Sequence, residues 1–150
     1  MNANSAADSQ VAVSTNRSLG SGKVQVASEL AGRLFLSALF FVSGLGKILF
    51  YSGTAAYMSS LGVPGALLPL AIVTEIAGAA AIVLGWRTRF VAFLLAGYTL
   101  LTAIIFHSNF SDQIEMIMFL KNVSVAGGLL LLVANGAGPL SLDRRANSQI

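Results

Sequence analysis

The sequence predicts an all-α protein, an integral membrane four-helix bundle with its N-terminus and C-terminus both in the cytoplasm. Three features carry that expectation. Of 150 residues, 55% are hydrophobic and only 10% charged, against roughly 25% charged in a soluble domain. Four apolar runs recur, each close to the ~20 residues a helix needs to cross a bilayer. Four spans also gather Arg17, Lys23, Arg33, Arg87, Arg89, Arg144 and Arg145 on one side, seven of the nine basic residues. The positive-inside rule makes that side the cytoplasm.

Residues 1–26 are rich in Ser, Ala, Asn, Gln and Val with no apolar periodicity, and are expected to form a disordered cytoplasmic tail. No signal-peptide pattern follows their few charges, so the first apolar run is read as the insertion signal. One four-helix domain is expected over 27–143, with helices near 30–50, 66–84, 89–107 and 117–135, then a short cytoplasmic tail, 144–150. The first run, Leu30–Phe50, has Arg33 at its start and Lys47 near its end. The second, Ala66–Leu84, follows a Val63-Pro64-Gly65 turn and carries Glu75 in its middle. Seventeen residues without a charge, Phe90–Phe106, form the third, and the fourth, Ile117–Ala134, has Lys121 and Asn122 near its beginning.

Connections follow the same logic. Gly85-Trp86-Arg87-Thr88 is a tight polar turn that forces an antiparallel hairpin. The first loop is read as Tyr51–Gly65 and the third as His107–Met116, while Gly136-Ala137-Gly138-Pro139 ends the fourth helix. Lipid gives no drive to bury apolar surface between helices, so close packing has to come from small residues. Gly44, Gly46, Gly78 to Ala81, Ala92, Ala96, Gly97, Gly127 and Gly128 are the candidates.

Composition also excludes functions. With no cysteine, the chain has no disulfide, thiol redox centre, iron–sulfur cluster or covalent haem. A single histidine rules out bis-histidine haem within one copy, and no metal site is expected. Basic residues sit at helix ends without clustering, so nucleic acid is not a partner. A redox role therefore needs a partner's cofactor or a diffusible carrier such as a quinone, and no covalently bound cofactor is expected.

Glu75 is the residue least at home in its surroundings, since an ionisable group at mid-membrane costs at least ~2.5–3.5 kcal/mol. The helix rise puts it about 14 Å below the outer end of its helix, and Lys47 about 26 Å above the cytoplasmic start of its own. Ser43 lies one turn below Lys47 on the same face. His107 closes the third helix, Lys121 and Asn122 open the fourth, and the loop with Asp112, Gln113 and Glu115 hangs above. The polar groups thus collect in the outer half of the bundle, around a pocket. Glu75 and Lys47 are the candidate catalytic pair, and Ser43, His107, Gln113, Lys121 and Asn122 the candidate substrate-binding residues. A cation nearby keeps Glu75 ionised, whereas burial alone favours its neutral form. Bland roles compete: Lys47 and Lys121 as snorkelling interface residues, His107 as a cap, Asn122 as a helix–helix bond, and Glu75 in a structural ion pair. Tyr51, Tyr57, Trp86 and Tyr98 read as interface or packing aromatics.

Arg33 followed by Phe41-Val42-Ser43-Gly44-Leu45-Gly46-Lys47-Ile48 resembles the opening helix of the DoxX family of small four-helix membrane proteins. The resemblance continues through Glu75 and Gly78, Gly85 to Arg89, Phe106-His107, Phe119 to Asn122, Gly127-Gly128 and Gly138 to Asp143. It implies a bacterial inner-membrane location and an oxidoreductase flavour, with links to quinone chemistry and to complexes with other enzymes. Three functions stay in contention. One is an oxidoreductase component holding a quinone, with Glu75 relaying a proton. A second is a non-catalytic scaffold or assembly factor for a partner enzyme, and the third is a transporter of small solutes or protons. Membrane lipids, a soluble or membrane partner enzyme and further copies of the chain are the partners in view.

Overall fold

The computed structural model describes residues 3–147, with side chains from Gly22 to Ala146. Its helices are α1 (Ala3–Leu49), α2 (Tyr51–Ser60), α3 (Leu68–Leu84), α4 (Thr88–Phe106), α5 (Gln113–Asn135) and α6 (Leu142–Asn147), with a 3-10 turn at Gly65–Leu67 before α3. Among the described residues, four stretches are long and apolar enough to cross a membrane: Gly22–Leu49, Gly65–Leu84, Thr88–Phe106 and Gln113–Asn135. Among the described residues there is no strand, and the all-α, four-span architecture is the one the apolar runs predict.

Three segments differ from expectation. The first helix is continuous from Ala3, so the 3–26 segment read as irregular has helical backbone; its Ala- and Ser-rich stretch contains no proline to stop a helix running on from the span. The first loop is helical over Tyr51–Ser60: Phe50 leaves helical geometry, yet its carbonyl accepts from Thr54 N and its amide donates to Gly46 O. The chain therefore bends at Phe50 without losing its hydrogen-bond ladder. Finally, α5 begins at Gln113, four residues early, because the Asp112 carboxylate accepts from the amides of Ile114 at 2.7 Å and Glu115 at 3.4 Å. An acidic group over a helix N-terminus both satisfies free amides and complements the dipole.

The helices pack as two pairs, α1 along α3 and α4 along α5. Gly44 lies against Ile76 and Glu75, and Gly128 against Leu36; a Cβ at Gly44 would stand 2.8 Å from Ile76 Cδ1. Gly46, Gly97 and Gly127 face open space instead, so only part of the small-residue set makes helix contacts. The shared core of Phe40, Ala79, Ile82, Ala92, Leu95, Ala96, Ala126 and Leu129 lies in the half nearer the α3–α4 turn.

That half is tied together by two side chains. Arg33 is fully buried on α1, and its guanidinium donates from Nε to Ile82 O at 2.9 Å and from Nη1 to Ala137 O at 2.9 Å and Leu140 O at 2.7 Å, with Nη2 on Val83 O. It thereby satisfies carbonyls at the C-terminal end of α3 that the helix leaves free, where the dipole favours a cation. Asp143 at the start of α6 accepts from Arg87 N at 2.7 Å and Thr88 N at 2.8 Å, capping α4 from across the fold. Burial alone pushes the Asp143 carboxyl up, but the hydrogen bonds from Thr88 and Arg87 and the Arg33 charge hold it below the usual carboxylate range. Gly85 completes the turn in left-handed geometry (φ 67°), with Trp86 N closing back on Ala81 O at 2.9 Å. No side chain fits there, since a Cβ would meet Ser141 Cβ at 2.4 Å.

Candidate functional site

Away from this clamped end the two helix pairs separate around a cavity of about 710 Å³. Its lining is mainly apolar, from Leu39 and Phe40 on α1 to Leu70 on α3 and Leu101 and Ile105 on α4. Residues of α2, among them Thr54, Tyr57 and Met58, form the roof, where Tyr57 stacks on Phe106 with ring centroids 5.9 Å apart.

One polar cluster interrupts the apolar wall. Lys47 Nζ donates to Glu75 Oε1 at 2.8 Å and Oε2 at 3.0 Å, and to Ser43 Oγ at 2.7 Å. Tyr98 O–H donates to Glu75 Oε1 at 2.8 Å. Three helices contribute: Ser43 and Lys47 sit one turn apart on α1, Glu75 comes from α3 and Tyr98 from α4. Gly44 beside Lys47 lets α1 approach α3 closely enough for the pair to meet. The Glu75 side chain is 5% exposed and that of Lys47 24%, so the carboxylate is enclosed while the ammonium keeps contact with the cavity. Every oxygen of the buried carboxylate has a donor, the condition under which a charge survives in an apolar interior.

Of the residues expected at the site, Glu75, Lys47 and Ser43 form one hydrogen-bonded group. His107, Lys121 and Asn122 line the same cavity but bond elsewhere. His107 Nδ1 lies 2.7 Å from Glu115 Oε2, bridging the end of α4 to the start of α5. Lys121 Nζ has Met118 Sδ at 3.2 Å, and Asn122 Nδ2 donates to Met118 O at 3.0 Å within α5 rather than across helices. Gln113 is exposed in the first turn of α5 and outside the cavity lining. Placing it in a loop above the pocket followed from starting α5 too late.

Tyr98 is the member that sequence reasoning missed, having been read as a packing aromatic. A signal existed: Glu75 lies ten residues before Gly85 and Tyr98 ten after Thr88. Equal steps from an antiparallel hairpin turn put two side chains at one depth, about 15 Å from the turn. Thr99 and Thr102 line the cavity as well and were not singled out. Among the described residues no group of three or more His, Cys, Asp or Glu could hold a metal ion.

The DoxX family model matches residues 28–108, which include Arg33, Ser43, Lys47, Glu75, Tyr98 and His107. Inner membrane protein YqjF of Escherichia coli (strain K12) is 45% identical over 127 residues, covering 85% of this chain and 98% of that protein. Inner membrane protein YphA of the same organism is 43% identical over 123 residues, 77% of this chain and 88% of its own length. No solved structure matches significantly. With four apolar spans and relatives of the inner membrane over nearly their whole length, this chain belongs to the DoxX family and is a multi-pass inner-membrane protein.

Proposed function

We propose that the chain is the membrane component of an oxidoreductase, and that the cavity between the helix pairs binds a quinone or another lipid-soluble electron carrier. The observation that carries this reading is the Lys47–Glu75–Tyr98 network on the wall of an otherwise apolar cavity. A volume of about 710 Å³ lies within the usual range of small-molecule sites, which pair apolar walls with a few convergent polar groups. The residues fit a quinone head: a carbonyl oxygen would take over one of the three N–H donors that Lys47 now spends on Ser43 and the two Glu75 oxygens, and apolar side chains flank the ring. When bound, such a carrier supplies two-electron, two-proton chemistry, its electrons exchanged with a partner enzyme. The chain's part is to orient the head and to hold protons. Ser43 fixes the Lys47 ammonium, Lys47 faces the ligand, and Glu75 accepts or returns a proton through its contacts with Lys47 and Tyr98. We also take the arginine-bearing end as cytoplasmic, which sets the cavity in the outer half of the membrane.

The test is to purify the protein in a mild detergent and identify by mass spectrometry every lipid-soluble molecule that stays bound. A stoichiometric quinone, lost on Glu75→Gln or Lys47→Ala while the fold persists, is the expected result. No bound carrier, together with a co-purifying enzyme insensitive to Glu75→Gln, would replace this reading with the scaffold.

A further inference from the structure

The cavity's walls differ in what they present to the surroundings. Its far end is roofed by α2, where Met58 is buried and Tyr57 stacks on Phe106. Its flank along α3 and α4 is bounded by Leu67, Leu70 and Thr74 on one side and Leu101 and Ile105 on the other. Leu70 is 64% exposed and Leu101 56%, and both belong to membrane-spanning segments, so their outer faces meet lipid rather than water. The two helices touch near the turn, where Gly78 lies against Leu95, and are held at mid-depth by the Tyr98–Glu75 hydrogen bond. Beyond that level the cavity lies between them. The opposite flank, between α1 and α5, carries Lys121, an exposed residue of α5. A charged rim suits a hydrocarbon chain poorly.

From this we infer that the seam between α3 and α4 is a lateral portal to the bilayer, through which the ligand's tail leaves the cavity while its polar head stays at Lys47, Glu75 and Tyr98. The inference rests on the proposed function and narrows its ligand. The molecule has a compact hydrogen-bonding head and a long hydrocarbon tail, and it exchanges with the membrane without passing through water. Leu70 and Leu101 are then specificity residues for the tail and have no part in holding the head.

The experiment uses the full chain in lipid nanodiscs and two probes, a benzoquinone with a long isoprenoid tail and the same ring without a tail. Wild type is expected to bind both, the tailed one more tightly. In the double variant Leu70→Trp with Leu101→Trp, tailed-quinone affinity should fall by at least about tenfold, no more than the apolar burial of two methylenes supplies. Tail-less binding should stay unchanged, and Leu120→Trp, exposed on α5 beside Lys121 and outside the cavity lining, should bind both probes as wild type does. Because the chain has no cysteine, Leu101→Cys labelled with a bulky maleimide after folding gives the same blockade without relying on the double variant to fold. Unaltered tailed-quinone binding in both blocked proteins overturns the portal, as does a selective loss in Leu120→Trp or an equal loss of both probes in the blocked proteins. Binding of neither probe by wild type is a different failure, since it removes the quinone reading and leaves the portal without its ligand.

Discussion

Glu75 separates a structural account of the cluster from a functional one, because it is enclosed and both of its carboxyl oxygens accept hydrogen bonds. Removing one partner of a buried ion pair strands the other, a loss of about 3–5 kcal/mol, whereas replacing both by apolar residues of similar volume is often neutral. Lys47→Met is therefore expected to lower the unfolding midpoint in detergent markedly, and Lys47→Met with Glu75→Met to restore most of it. If the pair serves only the fold, the double variant keeps whatever the cavity binds; if it holds a ligand head, stability returns and binding does not. Tyr98→Phe removes one hydrogen bond, about 0.5–1.5 kcal/mol, and should leave the fold intact while weakening quinone binding by a few-fold. Calorimetry beside ligand mass spectrometry reads both. The Ser43–Lys47 spacing and the depth of Glu75 make most of this cluster legible in the sequence. Tyr98 is not, because a lone tyrosine in an apolar helix is most simply an interface anchor, and only the hairpin's equal spacing connects it to Glu75.

At the scale of elements, the four spans are written in apolar run length, and the α3–α4 hairpin in Gly85 to Thr88. Short helices are harder to see. The start of α5 is available in the order Asp112-Gln113-Ile114-Glu115, an acidic cap followed three residues later by Glu. The six-residue α6 owes its place to tertiary bonds that no local pattern announces: Asp143 caps α4, and Ser141 Oγ accepts from Arg144 N at 3.3 Å while donating to Gly138 O at 2.7 Å. Asp143→Ala should cost about 0.5–2 kcal/mol, the usual range for an N-cap. The pH dependence has a defined sign. The folded carboxyl lies below its unfolded value of about 3.9, so its contribution is complete above that value and disappears as pH falls through the folded pKa. The wild-type and Asp143→Ala unfolding midpoints are expected to differ at pH 7 and to converge as pH is lowered below about 4. A gap that persists unchanged into strong acid would mean that the carboxylate charge is not what caps α4.

For the whole molecule, the division into a clamped end and an open end ties orientation to function. Arg33 joins α1, α3 and the α5–α6 connection, and Asp143 joins α6 to α4, so the pairs are fixed where the arginines gather and separate beyond the Tyr98–Glu75 hydrogen bond. The Lys/Arg count reads the clamped end as cytoplasmic. It does so without help from the cavity, because Lys47 and Lys121, the two basic residues near the open end, are span residues that line it. Since the chain has no cysteine, single replacements give an unambiguous address. Ser111→Cys, exposed between α4 and α5, should react with a membrane-impermeant maleimide in intact spheroplasts, and Ala146→Cys, exposed in α6, only after the membrane is opened. That pattern sets the cavity in the outer half of the bilayer, where a reduced carrier would release protons away from the cytoplasm. The reverse pattern would turn the same cavity inward and leave the Lys47–Glu75–Tyr98 geometry unchanged, with the cavity then in the inner half of the bilayer.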